Sequence, residues 1–335
     1  MQRILVTGGA GFIGSHFVRL ALRRWPDADV VVLDKLTYAG NLANLADVAA
    51  EPHYKFVRGD IADEDVVREV IRGADAVINF AAETHVDRSI LFPKEFVVTD
   101  VLGTFTLLEQ AREAGVRKFV QVSTDEVYGS IPEGHFAEDA PLNPSSPYSA
   151  SKAGGDLLAL AYAKTFGVPV VVARSSNNYG PFQYPEKLIP LFITNALDNL
   201  PLPVYGDGKQ IRDWLFVEDN CRALALILEK GEIGKVYNVG GDCEKENIEV
   251  TRMVLATLGR GEELIQWVAD RPAHDRRYAL SSEGTRALGW RPEVDFETGL
   301  ALTVNWYRER EDWWRPLKDA AYREYYRRQY GDGNG

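Results

Sequence analysis

Apolar residues in this chain fall into two alternating patterns. Ile4-Leu5-Val6-Thr7, Val30-Val31-Val32-Leu33, Tyr54-Lys55-Phe56-Val57, Ala76-Val77-Ile78-Asn79, Phe119-Val120-Gln121-Val122 and Val170-Val171-Val172-Ala173 are short, mostly β-branched runs. Such runs predict parallel strands buried on both faces. Between them, apolar positions recur at helical spacing: Ile13, Phe17, Leu20 and Ala21; Val66, Val67, Val70 and Ile71 behind a capping Asp63; and Val97, Val101, Thr104, Leu108 and Ala111. The order βαβαβ predicts an α/β fold with a doubly wound parallel sheet. After residue 180 the alternation breaks and prolines gather at 181, 185, 190, 201 and 203. We therefore expect one domain over 1–180 and a smaller C-terminal α/β domain over 181–335. Segment 213–239 is expected to return to the first, because Val236-Tyr237-Asn238-Val239 reads as a further strand.

Composition narrows the partners. At 335 residues the chain exceeds one compact core, and 45% hydrophobic with 26% charged residues is ordinary for a globular protein. A net charge of −11, from 49 acidic against 38 basic residues, disfavours nucleic acid and anionic membrane surfaces. Two cysteines, Cys221 and Cys243, make neither a disulfide framework nor a zinc site, which suits a reducing cytoplasm, and no metal is expected. No signal peptide and no apolar run near ~20 residues is evident. The Gly-Asp-Gly-Asn-Gly end is expected to fray. Trp306-Tyr307, Trp313-Trp314 and Tyr325-Tyr326 are expected to dock on the core rather than stack on bases.

The first strand runs into Gly8-Gly9-Ala10-Gly11-Phe12-Ile13-Gly14 and then a helix. Glycines 8, 11 and 14 let the backbone turn tightly and approach a pyrophosphate at the helix N-terminus. Asp34, 20 residues beyond Gly14, ends the second strand, where a carboxylate takes ribose hydroxyls and repels a 2′-phosphate. NAD is favoured over NADP. Small Ala81 and Ala82 after the fourth strand suit a backbone pressed against the cofactor. His85 reads as a loop hydrogen-bonding residue, since no second ligand lies at zinc spacing.

Two sites carry candidate chemistry. Val120-Gln121-Val122-Ser123 leads into Thr124-Asp125-Glu126, which places two adjacent carboxyls at the carboxyl end of a strand. Adjacent carboxyls held in different surroundings can serve as acid and base. Pro147 begins a helix capped by Ser146, so Tyr148 and Lys152 stack one turn apart. At ~4 Å and an effective dielectric near 20, the ammonium favours the phenolate by ~4 kcal/mol. That attraction would bring a phenol of ordinary pKa ~10 down by about three units, into the range of a general base.

These motifs identify a resemblance. Thr-Gly-Gly-Ala-Gly-Phe-Ile-Gly with Tyr148-x-x-x-Lys152 resembles the extended short-chain dehydrogenase/reductase superfamily, and Thr124-Asp125-Glu126 resembles its dTDP-glucose 4,6-dehydratases. Asp34 to Asn41, His85-Val86-Asp87-Arg88-Ser89, Asn177 to Pro181, Pro185 to Pro190, Gly208 to Trp214 and Asp270 to Asp275 are similar to the same family. The likeness runs from residue 3 to about 315. It implies a Rossmann sheet and cofactor contacts from Gly8, Gly11, Phe12, Ile13, Gly14, Asp34, Lys35, Leu36, Thr37, Asp60, Ile61, Ala81, Ala82, Thr99, Tyr148, Lys152 and Asn178. It implies contacts to a nucleotide diphosphate sugar, such as dTDP-glucose, from Thr84, Thr124, Asn177, Lys187, Leu188, Pro203, Tyr205, Arg212, Asn247, Arg271 and His274. Lys187, Arg212 and Arg271 suit a diphosphate. The implied catalytic set is Thr124, Asp125, Glu126, Tyr148 and Lys152, and the implied assembly is a homodimer pairing helices near 93–114 and 147–166. Asp100 stands where the family usually has Asn, and Ala273 where it usually has Gly. A 4-epimerase or decarboxylase on the same fold, or a non-catalytic NAD-binding sensor, are the rival readings; the Asp125-Glu126 pair disfavours epimerisation, and retention of Thr124, Tyr148 and Lys152 disfavours a sensor.

Overall fold

The computed structural model describes residues 1–330, so the Gly-Asp-Gly-Asn-Gly end lies outside the described residues. The β-branched runs form β1 (Arg3–Thr7), β2 (Asp29–Asp34), β3 (Tyr54–Arg58), β4 (Ala76–Asn79), β5 (Lys118–Thr124) and β6 (Val170–Ser175). With Val236–Val239 they make a seven-stranded sheet in the order Val236–Val239, β6, β5, β4, β1, β2, β3. Every pairing is parallel, with Ile4 opposite both Val30 and Ala76. The expected Rossmann architecture is therefore present. The strand order reverses between β1 and β4, which opens a crevice at the carboxyl ends of those strands.

Alternation within the strands builds two cores. Ile4, Val6, Val30 and Val32 face one helical layer, and Leu5, Val31, Leu33 and Phe119 face the other. Each such side chain, when fully buried, contributes ~1.5–3 kcal/mol. The helix Phe12–Arg24 starts at Gly11 with no side-chain cap and no acidic residue in its first turn, which leaves its N–H groups for a ligand. The Asp63 carboxylate accepts from the N–H groups of Asp65 and Val66 to start Glu64–Val70. Ser146 and Ser149 form a reciprocal capping box at the start of Pro147–Phe166.

The helical stretch around residue 100 differs from the even stripe expected. Val97–Gly103 is a π-helical segment that leads into Thr104–Ala114. Its wider turn shifts the register. Thr104, Leu108 and Ala111 are buried, whereas Val97 is 56% exposed.

Beyond β6 the chain builds a third core around Tyr179, Phe192, Trp214, Val254, Tyr307 and Trp314. Helices Leu188–Leu197, Asn247–Leu258 and Phe296–Glu309 enclose it, beside a small sheet of Glu244–Glu246, Ile211–Phe216 and Asn177–Tyr179. Helix Val217–Lys230 instead supplies Cys221, Leu224 and Leu228 to the first core of the large sheet. The C-terminal aromatics dock as expected: Tyr307, Trp313, Trp314 and Tyr325 are buried, and the Trp313 indole donates to Asn44 Oδ1 at 2.8 Å.

Candidate active site: a dinucleotide groove opening onto a cationic cleft

The groove lies at the carboxyl ends of β1, β2 and β4. Gly8 has a left-handed φ of +67°, and a Cβ there would sit 2.6 Å from the Ala81 nitrogen. A Cβ on Gly14 would sit 2.2 Å from the Gly8 carbonyl oxygen. Both positions exclude any side chain, and the closeness of these backbones creates the cradle. Asp34 accepts from the Ala10 N–H at 2.9 Å through Oδ2 and from the Leu36 N–H at 2.8 Å through Oδ1. These bonds tie the carboxylate to the glycine loop, and each oxygen keeps a lone pair for a ribose hydroxyl. Burial raises the Asp34 pKa, and the two N–H donors oppose that rise. Lys35 pairs with Asp60 at 2.6 Å on the same rim. A cradle without Cβ atoms, uncapped helix N–H groups and a ribose-reading carboxylate fit a dinucleotide.

At the inner end of the groove β5 delivers Thr124-Asp125-Glu126 into a single turn, Asp125–Tyr128. Thr124 caps that turn, its hydroxyl oxygen accepting from the Glu126 N–H at 3.3 Å. The same hydroxyl donates to Asp125 Oδ1 at 3.1 Å, while Asp125 Oδ2 is buried with no hydrogen-bond partner among the described residues. Burial and the neighbouring Glu126 push the Asp125 carboxyl well above the usual range. Burial also raises Glu126, but Arg271, Lys187 and Arg212 all pull it back. Two residues adjacent in sequence, both raised by burial, thus meet different surroundings: a like charge adds to the rise of Asp125, and three cations oppose that of Glu126.

The Tyr148–Lys152 couple departs from the expectation of a depressed phenol. Burial raises the Tyr148 pKa well above its ordinary value, and Glu126 and Asp100 add to the rise. Lys152 donates its Nζ proton to the Val122 carbonyl at 2.9 Å. Spacing along one helix captured the lysine's attraction but not the desolvation or the carboxylates brought in by other elements.

Beyond Glu126 the second unit closes a polar cleft. Asn177, Lys187, Leu188, Pro203, Tyr205, Arg212, Asn247, Arg271 and His274 line it together with Glu126. Arg271 donates to Asp87 Oδ1 at 2.8 Å, and the Tyr205 hydroxyl donates to Asp87 Oδ2 at 3.0 Å. Arg212 donates to the Asp275 carbonyl at 3.0 Å and lies over the Tyr278 ring at 4.3 Å. Burial and Arg271 lower His274 to about 4, so it faces the cleft as neutral imidazole.

Most expected cofactor residues meet in the groove: Gly8, Gly11, Phe12, Ile13, Gly14, Asp34, Lys35, Thr37, Asp60, Ile61, Ala81, Ala82, Thr99, Tyr148 and Lys152. Leu36 and Asn178 lie outside its lining. Leu36 packs against the first core, and the Asn178 amide donates to the Ser176 carbonyl at 2.9 Å. Thr84, expected at the sugar, is among the residues lining the groove. Thr124 and Asp125 sit behind both linings. Residues without an assigned role in the sequence also converge here. Asp87 anchors Arg271 and Tyr205, while buried Glu186 holds Arg88 at 2.7 Å and the Tyr38 hydroxyl at 2.8 Å. Both stand inside charged motifs, which is the signal that pointed to them. Tyr330 also reaches the cleft, and nothing near it in sequence signals that.

The chain belongs to the GDP-mannose 4,6 dehydratase family, whose sequence pattern matches residues 5–303. Among its relatives, the dTDP-glucose 4,6-dehydratase of Streptomyces niveus is 54% identical over 95% of this chain and 96% of that protein. The dTDP-glucose 4,6-dehydratase of Neisseria meningitidis serogroup B is 50% identical over 96% of this chain and 98% of that one. Among solved structures, DesIV of Streptomyces venezuelae, a dTDP-glucose 4,6-dehydratase with NAD and TYD bound, superposes with a TM-score of 0.93 at 54% identity, covering 95% of this chain and 100% of its own. The UDP-glucose 4-epimerase of Thermus thermophilus, in complex with NAD, gives 0.85 at 36% identity, covering 92% and 100%.

Proposed function

We propose that this protein is an NAD-dependent dTDP-glucose 4,6-dehydratase, a hydro-lyase of deoxysugar biosynthesis that yields dTDP-4-keto-6-deoxyglucose. The observation that carries the reading is the pairing of buried Asp125, pushed well up, with Glu126, whose rise by burial three cations oppose, between the dinucleotide groove and the polar cleft. NAD bound in the groove supplies a hydride acceptor for sugar C4 and a donor for C6. Gly8, Gly14 and Asp34 hold it, with Lys35, Thr37 and Asp60 on the rim. Tyr148, with Lys152 and Thr124 beside it, is placed to take the proton of the sugar 4-hydroxyl; in the protein alone burial, Glu126 and Asp100 hold its own proton on, and the positive nicotinamide of bound NAD⁺ would oppose that rise. Glu126 removes the C5 proton, which the neighbouring ketone has made acidic. Asp125 gives its proton to the departing 6-hydroxyl, water is lost across C5–C6, and the proton held by Glu126 returns to C5 to complete the 4-keto-6-deoxy product. Each of these proton transfers is worth typically ~10²–10⁴-fold. Lys187, Arg212 and Arg271 hold the diphosphate.

A UDP-sugar 4-epimerase shares the fold but needs no acid–base pair for elimination. Incubation with dTDP-glucose and mass spectrometry decides between them: the dehydratase product is lighter by one water, whereas unchanged mass overturns the reading.

The same reading divides the chain into a cofactor unit over 1–180 plus 213–239 and a substrate unit over most of the remainder. It also implies a two-fold dimer through the helices near 93–114 and 147–166, on which Phe105 and Leu157 are 41% and 57% exposed. Light scattering at micromolar concentration tests this, a monomeric mass counting against it. No helix among the described residues is long and apolar enough to cross a membrane, and Cys221 and Cys243 are free thiols, which supports a cytoplasmic site of action.

A further inference from the structure

Asp100 is buried at 2% exposure in the π-helical segment Val97–Gly103, behind the helix that carries Tyr148 and Lys152. The two helices are pressed together, since a Cβ on Gly155 would lie 2.8 Å from the Asp100 carbonyl oxygen. Asp100 Oδ1 accepts from the Glu83 N–H at 3.0 Å, and Oδ2 accepts from the Ser151 hydroxyl at 2.6 Å. That hydroxyl also lies 2.8 Å from the Tyr148 carbonyl. It has one proton for two acceptors, so ionised Asp100 and the Tyr148 carbonyl compete for it. An uncharged group with a donor at the Oδ2 position ends the competition: it donates to Ser151, and Ser151 donates to Tyr148. Protonated Asp100 meets that requirement, and so does asparagine.

We propose that Asp100 is a positioning residue whose charge, held at the helix interface by its hydrogen bond from the Ser151 hydroxyl, acts on the protonation of Tyr148 and so on the pH response of sugar oxidation. The proposal rests on Tyr148 being the base for the 4-hydroxyl. The groups facing Asp100 are Tyr148 and Lys152 on the packed helix and Glu83 on the loop after β4. Lys35 and Arg88 lie beyond Glu83, and Glu95 acts on it from the preceding turn. Burial lifts Asp100 to about 6 despite Lys152, and burial with Asp100 lifts Glu83 to about 7. Asp100 therefore changes charge within the range where the enzyme works, and its ionised form holds the Tyr148 proton more tightly.

The test is the pH dependence of cofactor reduction in a single turnover with dTDP-glucose, followed by absorbance, for the intact enzyme and for Asp100→Asn and Asp100→Ser. Removing the like charge eases Tyr148 deprotonation wherever the parent's Asp100 is ionised, so in both variants the part of the acid limb above about pH 6 moves to lower pH by about one unit and the curves converge with the parent's below it. On the acid limb itself that is up to ~10-fold faster reduction than in the parent. Limbs that superpose on the parent's, or a loss that is uniform across pH, overturn the proposal, because a merely structural contact changes amplitude and not the limb. Tyr148→Phe, run alongside, separates the two claims. Reduction retained in Tyr148→Phe removes the underlying reading, whereas reduction lost there with unmoved limbs in the Asp100 variants removes this inference alone.

Discussion

Replacing Asp125 with asparagine isolates a proton from a charge. Burial and Glu126 raise the Asp125 carboxyl well above the usual range, which favours its protonated form, and asparagine matches that uncharged form in charge and shape. The Thr124 hydroxyl keeps its acceptor at the Oδ1 position, at 3.1 Å in the parent. Oδ2 already lacks a hydrogen-bond partner among the described residues, so an amide in its place adds little desolvation cost. Stability is therefore expected to change by less than ~1 kcal/mol. Catalysis is expected to change far more, because Oδ2 is the oxygen free to carry the proton for the leaving hydroxyl. Loss of a general acid costs ~10²–10⁴-fold, or ~3–5 kcal/mol of barrier, at the elimination step alone. Oxidation at C4 precedes that step and continues, so reduced cofactor accumulates and is visible by absorbance. C5 still exchanges with solvent deuterium, because Glu126 is intact. The companion Glu126→Gln suppresses that exchange by a comparable factor. An Asp125→Asn enzyme without accumulated reduced cofactor, despite bound substrate, would refute the assignment, as would normal C5 exchange in Glu126→Gln. A purely electrostatic role would instead slow every step together in both variants.

Tyr148→Phe keeps the packed ring but removes the base, so product formation and cofactor reduction fall together by ~10²-fold or more; near-normal turnover would refute the role. Elimination needs Glu126 ionised and Asp125 protonated, and both are raised, Asp125 far more. Rate should therefore fall on the acid side as Glu126 takes up a proton and on the alkaline side as Asp125 loses its own, a bell that Asp125→Asn flattens on the alkaline side. Gly14→Ala places a methyl against the Gly8 carbonyl, where only backbone can yield, and purified protein is expected to lose its retained NAD and ~1–3 kcal/mol of stability; full cofactor retention on extraction would contradict the cradle. Arg271→Leu leaves Asp87 buried without its guanidinium, and breaking a buried pair costs ~3–5 kcal/mol, read as a lowered denaturant midpoint together with weakened nucleotide-sugar binding; an unchanged midpoint would show the pair to be dispensable.

The strands, the helix caps and the glycine turn were legible in the sequence; the π-helical turn Val97–Gly103 was not. The β-branched runs became the parallel strands, Asp63 and Ser146 became the caps, and Gly8, Gly14 and Asp34 became the cradle. Backbone sterics, capping and hydrophobic periodicity act over a few residues, so neighbouring letters are sufficient evidence for them. The carboxylate pair and the Tyr148–Lys152 spacing were legible as groups, again because each lies within one turn or one strand end.

Their chemical states were not. Lys152 alone argues for a depressed Tyr148, yet burial and the carboxylates of Glu126 and Asp100, delivered by other elements, reverse the direction. Asp125 and Glu126 are neighbours that chain position cannot rank. They are separated because Lys187 and Arg271 join Arg212 beside Glu126, arriving from distant parts of the chain, while Glu126 itself and burial act on Asp125. The same folding seats Asp87 under Arg271 and Tyr205 and presses the π-helical turn Val97–Gly103 against Pro147–Phe166. Desolvation and Coulomb energy depend on distance and burial in three dimensions, so only the tertiary structure could decide which groups hold protons.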